Sequence, residues 1–204
     1  KKSGGDPFKL LIAYGCLTVL FSAVLNNVTA MIIVGSLTTV SLKKLKRTEL
    51  LLGFLLIEGL LTNVGGMLTL ISSVPNIIVG KTAGISFVAF FKYAAPYVVI
   101  STAATLILGR IRFGISGLKT DEEREEAKRM VAGFDENESV PSQRFFWFSV
   151  GVLVCFIFTL AGQSQLPGGL DGLGMGFVAL FFAGIVLMAY KHEVDKFYSA
   201  VDWD

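Results

Sequence analysis

The sequence predicts an all-α polytopic membrane protein, and three observations predict it. Hydrophobic residues make up 53% of the 204-residue chain and charged residues 17%, against about 25% charged in an ordinary soluble domain. The apolar residues gather in uninterrupted runs instead of the periodic spacing of elements packed around one soluble core. Several runs approach the roughly 20 residues that a helix needs to cross the hydrocarbon core of a bilayer.

Taken in order, residues 8–25 are apolar, the polar cluster Asn26, Asn27 and Thr29 follows, and residues 30–42 are apolar up to the basic cap KKLKR. Residues 48–61 are apolar apart from Glu58; TNVGG comes next, then a short apolar piece, SSVPN and residues 77–80. Both stretches are broken midway by polar or glycine residues, which predicts a re-entrant helical hairpin followed by a broken transmembrane helix. Residues 87–109 form a span with Lys92 near one end and Pro96 inside, read as a kinked transmembrane helix. The charged stretch DEEREEAKRMVAGFDENES reads as a solvated connector, helical over 120–131 where acidic and basic residues recur at helical spacing; a regulatory docking segment is the alternative. Residues 145–162 and 173–190 are two further spans joined by the turn GQSQLPGGLDGLG. The expected organisation is therefore a transport core over 1–116, a charged loop over 117–144, two transmembrane helices over 145–190 and a linker over 191–204.

The positive charges orient these elements. If residues 8–42 enter and return to the side they left, sixteen of the eighteen Lys and Arg residues fall in loops on one side, with Lys81 and Lys92 elsewhere. A full crossing would instead strand Lys1, Lys2 and Lys9 opposite the rest. The positive-inside rule then places the charged loops in the cytoplasm and the protein in the plasma (inner) membrane.

Several function classes drop out. A net charge of +2 without basic residues interleaved with aromatics excludes nucleic acid as partner. Cys16 and Cys155 sit inside apolar runs without a spaced companion, so neither a disulfide framework nor a zinc site is expected. His192 stands alone beside Lys191 at a helix end, and no Ser–His–Asp, HExxH or P-loop pattern appears, so the chain reads as no enzyme. Phe145, Phe146 and Trp147 suit an interfacial aromatic belt.

The chemistry concentrates at the two breaks. Unwound backbone at bilayer depth survives only where protein or a cavity satisfies its N–H and C=O groups. The helix ends that it frees suit ions: N-termini an anion, free carbonyls a sodium ion. Asn26, Asn27 and Thr29 at the first break, Asn63, Gly65 and Gly66 at the second, and Thr69, Ser72, Ser73 and Asn76 beyond it are the candidate ligands. Gly65 and Gly66 permit either close backbone approach or a positive φ. Each polar residue also has a plainer reading as hydrogen-bonding glue between helices. Glu58 is the one acidic residue inside an expected span, where a carboxylate costs at least about 2.5 kcal/mol unless paired, protonated or hydrated. It is read either as a proton or cation carrier or as a protonated structural residue.

SAVLNNVTAMIIV at 22–34 and TNVGGMLTLISSVPNIIVG at 62–80 resemble the paired signature of the ion transporter superfamily. That group holds arsenite permeases, NhaD-type sodium/proton antiporters, the melanosomal P protein, and citrate and dicarboxylate carriers. In the antiporter and arsenite branch the motifs read S-A-x-x-D-N-V-T and N-I-G-G-x-x-T-x-I-G-x-x-P-N. The resemblance covers most of residues 8–116. It implies that Asn26 to Thr29 form the hairpin tip and Thr62 to Asn76 the unwound part of the next helix, together one half of an ion and substrate site. It further implies a secondary active transporter working by alternating access, with sodium or a proton as coupling ion, a small inorganic ion or a carboxylate as substrate, and a homodimer in the bilayer.

Two departures stand out. Asn26 occupies a position where many relatives carry Asp, and Ser72-Ser73-Val74 replaces a common Gly-Asp-Pro run; Glu58 is the candidate to compensate. The second motif favours the arsenite-permease and NhaD-like branch, with a sodium-coupled di- or tricarboxylate carrier as the alternative and a non-transporting scaffold as a third reading. Family members repeat the hairpin-and-broken-helix unit in inverted orientation. No second copy of the motifs occurs over 117–204, so the chain is expected to be the first-repeat portion of a longer protein.

Overall fold

Lipid tails are as apolar as leucine, so apolar burial drives little association inside a bilayer; close van der Waals packing and interhelical hydrogen bonds hold helices together instead. The helix contacts follow that rule. The computed structural model describes residues 4–118, 120–132, 142–162 and 174–190. Lys1, Lys2, Lys119, residues 133–141, the turn at 163–173 and the tail 191–204 with Lys191, His192 and Lys196 lie outside the described residues. Among those described, all regular structure is helical.

The chain divides into two units, Lys1–Phe134 and Asp135–Asp204. The first contains α1 (Pro7–Ser22), α2 (Asn27–Lys44), a single 3-10 turn (Thr48–Leu50), α3 (Leu51–Gly65), α4 (Val74–Thr82), α5 (Phe87–Phe113) and α6 (Asp121–Ala132). The second contains α7 (Gln143–Gly162) and α8 (Gly174–Ala189).

Glycines set the helix spacing in the first unit. A Cβ on Gly53 would stand 2.9 Å from Phe113 Cβ, and one on Gly109 would stand 2.5 Å from Ile57 Cδ1. As position rises along α3 it falls along α5, so these two helices run antiparallel. A Cβ on Gly15 would meet Leu61 at 3.0 Å, and one on Gly65 would meet Val19 O at 2.6 Å; α1 therefore runs parallel to α3. Thr38 reaches Glu58 while Asn27 reaches Asn63, so α2 runs antiparallel to α3. The chain goes in along α1 and returns along α2 beside it, which is the expected re-entrant hairpin. Phe54, Ile57, Leu61, Leu11 and Leu42 fill the centre of this packing.

The α3/α5 register also places the hairpin tip. Carried up from Gly53 and Phe113, it sets Gly65 level with about residue 101 of α5, so α5 continues for about 20 Å past that point. At 27 residues, α5 is about 40 Å long, enough to cross a bilayer with some tilt. The tip and the end of α3 thus lie about midway along a full-length transmembrane helix. α5 itself runs on past Pro96 as one helix and ends at Gly114 (φ 62°), where Ile115 N–H donates to Arg110 O at 3.1 Å.

At the other end of the hairpin the chain is clasped. Asp6 caps α1, its Oδ1 accepting from Phe8 N–H at 2.9 Å and Lys9 N–H at 3.0 Å, while its Oδ2 accepts from Leu118 N–H at 3.1 Å. The Arg110 guanidinium lies 4.1 Å from the centre of the Phe8 ring. Ala127 of α6 is buried beside Gly5, and Met130 packs on the core. Residues 5–6, 45, 118 and 127 therefore meet at one end, which is the grouping that the positive charges predict for those stretches. α6 is docked on the hairpin, beyond a bare solvated connector. Asp6→Ala is expected to lower stability by about 1–2 kcal/mol, the usual worth of a cap. Asp6→Asn, which keeps only one acceptor oxygen, should fall between it and the wild type; melting in detergent by scanning fluorimetry measures both.

In the second unit, Phe145 and Phe148 contact Tyr190, and Phe156 contacts Phe182, so α7 and α8 run antiparallel. Phe145 is thereby engaged between the helices, while Phe146 and Trp147 remain exposed. α8 has 16 residues and is about 24 Å long, shorter than the expected span over 173–190; Leu173 falls outside the described residues and Tyr190 is a turn.

Candidate functional site

The first break lies three residues earlier than the sequence predicts, and the second is shorter. At the breaks the chain is non-helical over residues 23–26 at the hairpin tip and 66–73 after α3. Asn27 and Thr29 belong to the first turn of α2 and are not part of the tip loop. Asn26 is the N-cap, with its Oδ1 accepting from Thr29 N–H at 2.8 Å. Likewise Thr62 to Gly65 stay helical, because Thr62 Oγ1 and Asn63 Nδ2 donate back to Gly59 O at 2.8 and 3.1 Å and so satisfy themselves within the helix. Asn76 already lies in α4, which begins at Val74 with Pro75 in its first turn.

Three links stitch the two breaks together. Ser22 Oγ donates to Thr62 O at 2.5 Å, with Asn27 Oδ1 at 2.8 Å as a second acceptor for its single proton. Asn27 Nδ2 donates to Asn63 Oδ1 at 3.1 Å. Thr69 Oγ1 donates to Ala23 O at the tip. The loop after α3 is then closed on itself: Asn76 Nδ2 donates to Gly66 O at 2.8 Å and Thr69 O at 2.9 Å, and Ser72 Oγ bonds the same two carbonyls. The freed backbone carbonyls are thus satisfied by side chains, as low dielectric demands.

Gly65 and Gly66 serve close approach, since neither has a positive φ. A Cβ on Gly65 would collide with the Val19 backbone, and one on Gly66 would come within 2.5 Å of Asn27 Oδ1.

The structure brings Asn27, Asn63, Gly65, Gly66, Thr69, Ser72 and Asn76 into one connected cluster. Thr69 and Ser72 are buried, Asn27, Thr29, Ser73 and Asn76 half-buried, and Asn26 and Asn63 exposed. Asn26 and Thr29 border the cluster, joined to each other by the Asn26 cap. Ser73 is the extended N-cap of α4 and makes no side-chain capping bond, leaving the N–H groups of that helix start without a cap. Glu58 is not brought in: it lies about 7–8 Å further down α3 from Asn63, in separate surroundings.

Ser22 was not among the expected site residues, although it opens the first motif. Thr102 is a further addition: its Oγ1 is buried without a hydrogen-bond partner on α5, at the level of the breaks. Only the antiparallel register reveals it, as a single Thr in an apolar run carries no local signal.

The cluster is built of amides, hydroxyls, backbone carbonyls and helix starts, without an acidic or basic side chain. Among the described residues no group of three or more His, Cys, Asp or Glu could hold a metal ion. Such a surface can offer N–H and O–H donors to an anion, or carbonyl and amide oxygens to a monovalent cation.

Known proteins resemble this chain along its whole length. A family model described as citrate transporter matches residues 1–204. A 46 kDa membrane protein of Mycobacterium leprae is 28% identical over 205 residues, and an uncharacterized transporter of Mycobacterium tuberculosis is 27% identical over 204 residues. Each alignment covers 100% of this chain and 45% of the relative, so the chain spans less than half the length of these relatives. No solved structure matches it. With its re-entrant hairpin, broken helix and apolar transmembrane helices, this chain is an integral membrane segment that belongs to the citrate transporter family.

Proposed function

We propose that the full-length protein carrying this chain is a secondary active carrier for a citrate-like di- or tricarboxylate, coupled to a cation and working by alternating access. The observation that carries this reading is the meeting of the two breaks midway along α5 in a cluster free of carboxylates, joined at Asn27 and Asn63. A site with acids of its own would repel a multiply charged carboxylate, whereas amide donors and an uncapped helix start attract one. The family match supports the same substrate class. In this reading Asn27 and Asn63 contact the substrate, while Thr69, Ser72 and Asn76 hold the loop that presents the start of α4.

Ion antiport of the arsenite-permease and NhaD-like kind is the second reading, favoured by the form of the second motif, N-V-G-G with Pro75-Asn76 ten residues after Gly65-Gly66. Proteoliposomes separate the two. Labelled citrate or succinate is expected to accumulate when a sodium or pH gradient is imposed on the purified full-length protein. Sodium/proton exchange without carboxylate movement would establish the antiporter instead, and no flux of either kind would leave a scaffold.

A further inference from the structure

A second polar cluster lies buried in the interface between the hairpin and α3. Glu58 is 0% exposed. One carboxyl oxygen accepts from Thr38 Oγ1 of α2 at 2.5 Å, while the other, Oε2, is buried without any hydrogen-bond partner. Three residues beyond Thr38, and so on the same face of α2, Ser41 Oγ lies 2.6 Å from Tyr14 OH of α1.

The helices packed on α3 bring no cation to this carboxyl. From α1 the titratable group facing it is Tyr14. From α2 come the hydroxyls of Thr38 and Ser41, with Lys43 and Lys44 exposed at the far helix end. On α5, Lys92, Arg110 and Arg112 are exposed near the two ends of the helix. A carboxylate sealed here with one hydroxyl donor and no counter-ion is far costlier than the neutral acid. A metal ion would require several ligands converging on Oε2, and among the described residues no His, Cys, Asp or Glu group could supply them. A proton requires only the oxygen itself.

We propose that Glu58 Oε2 is a proton-binding site, separate from the amide cluster and built into the contact between the re-entrant hairpin and α3. Taking up one proton there makes the carboxyl neutral and lets α2 close over it through Thr38. Releasing that proton to water leaves a carboxylate that keeps Thr38 as donor on one oxygen but must be hydrated at Oε2, which requires the hairpin to part from α3 there. Proton occupancy and hairpin packing are thereby linked. As the source of the coupling ion this rests on the carrier reading above; as a proton site it does not.

Infrared difference spectra of the purified full-length protein between acidic and alkaline pH test the site without any substrate. The carbonyl band of a neutral carboxylic acid is expected in the wild type, absent in Glu58→Gln, and shifted in frequency in Thr38→Val, which keeps the carboxyl and removes its donor. A spectrum unchanged by both substitutions overturns the proposal. Should Glu58→Gln fail to fold, the Thr38→Val shift decides alone, and its absence is equally fatal. In proteoliposomes with a lumenal pH dye, proton influx accompanying citrate uptake should be lost in Glu58→Gln while citrate counterflow stays measurable; undiminished influx overturns the coupling role. Absence of citrate movement in the wild type would sink the carrier reading and leave the infrared result to judge the proton site.

Discussion

Gly65→Val is expected to abolish folding of the first unit, and Gly65→Ala to cost about 3 kcal/mol or more, at the upper end for an overpacked core. A Cβ at this position would lie 2.6 Å from Val19 O and 2.8 Å from Val19 Cα. Both are backbone atoms of α1, so no rotamer change relieves the overlap and the whole helix must back away from α3. That displacement would also break the link from Ser22 Oγ to Thr62 O, one helical turn from the clash. Gly59→Ala on the same helix is the control, since a Cβ there meets nothing within 4 Å and Ala favours a helix over Gly by about 1 kcal/mol. Size-exclusion profiles and melting temperatures of the full-length protein in detergent measure both. Equal stability of the two variants would mean that α1 and α3 do not approach at Gly65.

Asn27→Ala and Asn63→Ala are each expected to lower carboxylate flux by about tenfold or more, equivalent to about 1.4 kcal/mol, while changing stability little. Hydrogen bonds between transmembrane helices average about 0.6 kcal/mol, so losing the 3.1 Å link between these amides does not by itself unfold the unit. The double variant should be no worse than the poorer single one if the two amides act as one element. Flux measured in proteoliposomes alongside melting temperature tests the competing view that they only glue helices together. Under that view flux and stability would decline in proportion.

Much of this arrangement was legible from the residues. The apolar runs marked the helices of the first unit except α6, which the spacing of its charges marked, and the one-sided placement of Lys and Arg pointed to a hairpin. Asn27 and Asn63 stood out because amides at bilayer depth require partners. The extent of the breaks was not legible, because Thr62 and Asn63 look like breakers in one dimension yet bond to Gly59 O within their own helix. Nor was the docking of α6 through Ala127 and Met130, two modest apolar side chains inside a run dominated by charge.

The sequence by itself determined that the chain belongs in lipid, that two of its helical stretches are interrupted, and which polar residues stand at the interruptions. These properties follow from composition and local order, since a long apolar run has no other stable solvent and an amide inside one must hydrogen-bond somewhere. Only the tertiary structure decided which amides meet, that Gly65 and Gly66 serve close approach instead of a positive φ, and that Glu58 is sealed against Thr38 at a distance from the amide cluster. Those outcomes depend on the register between helices whose touching residues stand as far apart in sequence as Val19 and Gly65. Register is set by which glycine receives which neighbouring side chain, and one-dimensional periodicity carries no record of that pairing.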